Sequence, residues 1–97
     1  MSNSESDTEI REGLCNRFTL AQGATGLSKA EFAKRVGLTP SQLSNISRYR
    51  NPPSHEAIHR AIREFGFTSD WFYVGNKSGF RDPSLVQRLR ETEESRS

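Results

Sequence analysis

The chain has 97 residues, is 32% hydrophobic and has a mean hydropathy of −0.78, which allows one small domain with a modest core that a second copy would help to bury. No run approaches the roughly 20 apolar residues of a membrane span, and the acidic, serine-rich start is unlike a secretory signal, so a reducing cytoplasm is expected. The lone cysteine, Cys15, excludes an internal disulfide and, with no metal-spaced histidines beside it, a zinc site; it reads as a core-facing thiol.

In chain order, MSNSES at residues 1–6 carries no apolar side chain beyond the initiator and is expected to be disordered, with order beginning at Asp7 or Thr8. Ile10, Leu14, Phe18 and Ala21 recur at four, four and three residues, predicting a first helix to about Ala21 with this stripe towards the core. GATG at 23–26 follows as a loop. It lacks the Lys and Ser/Thr of a phosphate-binding loop and no strand precedes it, so nucleotide binding is not expected.

Lys29 to Arg48 carries the most specific pattern. Ser28 and Glu31 have capping-box spacing, and Gly37 is a natural terminator, predicting a second helix over about Lys29–Val36. Thr39, Pro40 and Gln42 repeat the capping logic with proline at the first helical position, predicting a third helix from Pro40 to about Tyr49. A helix-turn-helix needs a small residue where its helices meet, a turn residue tolerant of positive φ, and apolar residues behind its second helix. Ala33, Gly37, Leu43 and Ile46 supply these in order. The third helix is left with a small, polar or basic outward face of the kind that enters a major groove: Pro40, Ser41, Gln42, Ser44, Asn45 and Arg48 are the expected base-reading residues. Lys29, Thr39, Tyr49, Arg50 and Asn51 flank it and are expected at DNA phosphates. Charge agrees: residues 13–50 balance to +5, counting Arg17, Lys29, Lys34, Arg35, Arg48 and Arg50 against Glu31, whereas residues 1–12 balance to −3.

Pro52 and Pro53 must break the third helix. Ser54 can cap a fourth, with Ala57, Ile58, Ala61, Ile62 and Phe65 as its stripe and Gly66 as its end. His55 and His59 stand four apart without a third ligand and read as surface residues, not a metal site. Thr68 can cap a short fifth helix through Val74 that brings Trp71, with Phe72 or Tyr73, into the core. After the KSGFR loop, Asp82 and Pro83 open a last helix with Leu85, Val86 and Leu89 as its apolar residues. That stripe is too small to stand alone. It is expected to dimerise the chain, the competing reading being that it folds back over Trp71 and Phe80. The expected organisation is a disordered segment 1–6, a DNA-binding domain 7–75, and a loop and helix over 76–97 whose end frays from residue 92.

From roughly Leu14 to Gly75 the sequence resembles the lambda-repressor-like (Cro/CI) helix-turn-helix family, phage-repressor type. Gly26, Leu27 and Ser28 match the run before helix two, Asn51 to Ser54 the loop after the recognition helix, and Phe67 to Gly75 the fifth-helix signature, usually a Ser-Asp-Trp-Leu run closing in glycine. Lys29 departs from the glutamine many members carry there; it keeps a phosphate role and loses the bidentate amide. The resemblance implies an all-α bundle of five helices plus a C-terminal one, bacterial or phage-encoded. It also implies a homodimer on a pseudo-palindromic double-stranded operator, regulating transcription as a repressor with no effector domain. No cofactor is expected, and no enzyme activity, since base and nucleophile are unpaired and neither a carboxylate pair nor a metal cluster is evident. The rival reading is an antitoxin or anti-activator whose helical domain mainly binds a protein partner.

Overall fold

The computed structural model describes residues 3–96. Six helices follow one another: α1 (Asn3–Thr25), α2 (Lys29–Arg35), α3 (Pro40–Ser47), α4 (His55–Phe65), α5 (Ser69–Val74) and α6 (Pro83–Arg96), with no strand among the described residues. The all-α class and the five-helix bundle with an added helix are as expected.

The first helix is longer than its periodicity implied at both ends. It starts at Asn3, within the segment expected to be disordered, because extending an anchored helix costs far less than nucleating one. Residues 1, 2 and 97 lie outside the described residues. At the other end α1 continues past Ala21 through most of GATG to Thr25, which buries Ala24 and leaves Gly26, at φ 75°, to turn the chain. Gly23 is therefore helical, and its missing side chain is used: a Cβ there would lie 2.7 Å from the Thr92 γ-methyl of α6. Ile10 does not join the core and is 56% exposed, because the bundle's contact with α1 begins one turn later at Leu14.

The interior is one cluster drawn from all six helices. Phe18 of α1 meets Phe32 of α2 edge-on at 5.5 Å between ring centres, and Phe67 stacks on Trp71 at 5.3 Å. Cys15 is fully buried, and that burial pushes its thiol pKa up, Arg11 pulling it down and Glu12 raising it to lesser extents. The last helix corrects an expectation. Leu85 and Leu89 are buried in this same core, with Val86 half-buried, and α6 packs chiefly along α1. An apolar stripe already covered by the chain's own helix offers a partner nothing to bury, so Leu85 and Leu89 are core residues and not a dimer surface. The helix also persists to Arg96 instead of fraying from residue 92.

Candidate nucleic-acid interface

The geometry of α2 and α3 follows from local chemistry. Ser28 caps α2 by accepting from the Glu31 amide at 3.2 Å, but the box is only half made, because the Glu31 carboxylate turns instead to Arg35 at 3.3 Å. Gly37 ends α2 in the left-handed region at φ 77°, where the Leu38 amide reaches back to the Ala33 carbonyl at 2.8 Å and the Gly37 amide to Lys34 at 3.3 Å. Ala33 is completely buried at this corner. The box at α3 is complete: the Thr39 hydroxyl accepts from the Gln42 amide at 3.1 Å, and the Gln42 side-chain oxygen accepts from the Thr39 amide at 2.9 Å.

Leu43 and Ile46 turn inward and fix the rotation of α3. At about 100° per residue, Ser41, Ser44, Asn45 and Arg48 then occupy an arc of roughly 100° on the opposite side, with Pro40 and Gln42 flanking it. Pro40, Ser41, Gln42, Ser44 and Arg48 are exposed and Asn45 is half-buried. All six expected base-reading residues thus share one surface, with the central four best placed to protrude.

The end of α3 differs from expectation. The helix stops at Ser47 with Arg48 as cap, and Tyr49, expected within it, takes a left-handed backbone at φ 64°. Hydrogen bonds from Tyr49 N to Ile46 O at 3.0 Å and from Arg50 N to Asn45 O at 2.9 Å make this a Schellman ending built on a tyrosine. The Tyr49 hydroxyl reaches Asn16 Oδ1 at 3.4 Å, and the Cys15 thiol donates to the Asn51 carbonyl at 3.4 Å, so two neighbouring residues of α1 hold the loop that leaves α3. Lys29, Thr39, Tyr49, Arg50 and Asn51, the expected phosphate contacts, are all exposed: Lys29 opens α2, Thr39 caps α3, and Tyr49 to Asn51 follow its end.

Charges sort themselves more finely than the sequence balance suggested. Lys29, Lys34, Arg48 and Arg50 form no ion pair among the described residues, whereas Arg35 bridges Glu31 and, at 3.9 Å, Glu64. Arg17 is spent elsewhere, donating to the carbonyls of Phe72 and Tyr73. Sequence reasoning missed this role and the Asn16 contact; both partners lie far along the chain and leave no local signal. His55 and His59 are both exposed, and His55 Nδ1 pairs with the Tyr73 hydroxyl at 2.9 Å. No helix among the described residues is long and apolar enough to cross a membrane.

A family model described as Helix-turn-helix matches residues 22–72, which takes in α2 to α4 and most of α5. No curated protein and no solved structure matches. With the capped α2–Gly37–α3 unit, its buried Ala33, Leu43 and Ile46, and a match over more than half its length, the chain belongs to the lambda-repressor-like (Cro/CI) helix-turn-helix family of DNA-binding transcription regulators.

Proposed function

We propose that this protein is a sequence-specific repressor that binds double-stranded DNA as a homodimer on a pseudo-palindromic operator. The observation that carries the reading is the outward arc of α3, where Ser41, Ser44, Asn45 and Arg48 project, together with Lys29 at the start of α2 and Arg50 after α3, both exposed and without an ion pair among the described residues. Inserted into a major groove, Asn45 and the serines hydrogen-bond base edges, Arg48 reaches a guanine or a phosphate, and Pro40 meets a thymine methyl. Lys29, Thr39, Tyr49, Arg50 and Asn51 hold the backbone on either side. A single domain of this size reads few base pairs, so two copies on half-sites about one helical turn apart supply the specificity. Their contact lies outside Leu85 and Leu89, which the core consumes.

Selection of bound fragments from random duplex DNA tests both parts. A recurrent motif with two-fold symmetry is expected, and a Ser41→Ala, Asn45→Ala double variant should lose preference at the matching positions by about 1–3 kcal/mol per good contact. Recovery of unrelated sequences, or an unaltered motif with the double variant, would sink the reading.

A further inference from the structure

Resting on the DNA-binding reading above, we infer that Asn16 of α1 is a positioning residue for DNA binding, acting through Tyr49 to set the course of the loop that carries Arg50 and Asn51. A left-handed backbone is strained for a residue with a Cβ and persists where surrounding contacts over-determine it. Glycine would adopt it freely. Here the residue is a tyrosine at φ 64°, 40% exposed, so burial of its ring does not explain the choice.

What the tyrosine adds over glycine is reach: its hydroxyl spans from the end of α3 to Asn16 Oδ1 on α1. One residue earlier on α1, the Cys15 thiol holds the Asn51 carbonyl. The two tethers fall on either side of Arg50, and Arg48 precedes the turn. Neither arginine is held by an ion pair among the described residues, so their placement depends on the backbone beneath them. A phosphate contact requires that backbone to arrive in register, and Asn16 supplies the register from a helix that is itself anchored in the core from Leu14 onward.

The test is a double-mutant cycle on the full chain, measured by fluorescence anisotropy on a mixed-sequence DNA duplex across a salt series, with thermal unfolding followed in parallel. Asn16→Ala and Tyr49→Phe should each weaken binding about two- to tenfold, the range of a single net hydrogen bond. The double variant should be no weaker than the weaker single variant, because both remove the same link. The salt slope should fall in each, as phosphate contacts slip out of register, and unfolding temperatures should drop by no more than the few degrees that one hydrogen bond accounts for. Losses that add would make Asn16 and Tyr49 independent groups and overturn the inference. Weaker binding at the parent's salt slope would reduce Asn16 to a packing residue and overturn it too. A parent chain that fails to bind any duplex would instead bring down the DNA-binding reading itself.

Discussion

Arg17 closes the end of α5 from the side of α1: its Nε donates to the Phe72 carbonyl at 2.7 Å and its Nη2 to the neighbouring Tyr73 carbonyl at 3.1 Å. Terminal carbonyls of a helix have no partner within it, and a guanidinium answers both that need and the negative end of the dipole. Burial lowers the Arg17 pKa from its ordinary value, but a guanidinium keeps its charge in a protein.

Replacing this side chain removes two charge-assisted bonds while Arg17→Met keeps most of its apolar stem. Urea unfolding should show a loss of about 1–3 kcal/mol. The salt slope of DNA binding should stay that of the parent, because this cation is committed to α5. A changed slope would return Arg17 to the DNA face.

Gly23→Ala sets two effects against each other. Alanine gains about 1 kcal/mol over glycine inside a helix, but its Cβ would sit 2.7 Å from the Thr92 γ-methyl. That methyl is held in place, since the Thr92 hydroxyl is bonded to the Arg88 carbonyl at 2.8 Å. Overpacking costs about 1–3 kcal/mol, so the single variant should be less stable than the parent. In a Thr92→Ala background the sign should reverse. Equal effects in both backgrounds would mean that α6 does not lie against Gly23.

Arg50→Ala and Lys29→Ala address the loop after α3 and the start of α2. Each should weaken all duplex sequences alike and lower the salt slope by about one unit per lost phosphate contact. Anisotropy titrations at several salt concentrations give both numbers. A loss confined to one sequence would convert the residue concerned into a base reader.

Cys15 should impose an alkaline limit on stability. Burial raises its folded pKa above the ordinary thiol value of 9.0, so the folded state holds the proton more tightly than the unfolded chain. The corresponding stability is fully present below about 9 and is lost as pH climbs towards and through the folded value. Denaturation at a series of pH values should show stability falling on that limb, and Cys15→Ala should flatten it. A variant with the parent's slope would assign the alkaline loss to other groups.

The parts that could be read from sequence are those whose causes are local. Thr39, Pro40 and Gln42 announce the start of α3 because a cap acts over three residues, and Gly37 announces the end of α2 for the same reason. The exposed face of α3 follows directly, since Leu43 and Ile46 fix its rotation. Periodicity shows the face of α1 but not the point where its neighbours stop, which is why it predicts Ile10 inside although that residue is exposed. The roles of Arg17, Leu85 and Leu89 depend on which distant helix arrives beside them; the Arg17 contact to Phe72 spans 55 residues. Tyr49 escaped because side chains with a Cβ rarely adopt its backbone, so its residue type argued for continued helix.

The complete capping box has a consequence for how permissive recognition can be. An amide side chain reads adenine through two simultaneous bonds, accepting from N6 and donating to N7. With its oxygen turned back to the Thr39 amide, Gln42 presents only its NH₂ end to an approaching duplex. On the proposed reading it is a donor without an acceptor, satisfied by N7 of either purine, by guanine O6 or by thymine O4. The base pairs beneath the start of α3 should then be the most interchangeable of the half-site, with discrimination gathered further along the helix under Ser44, Asn45 and Arg48.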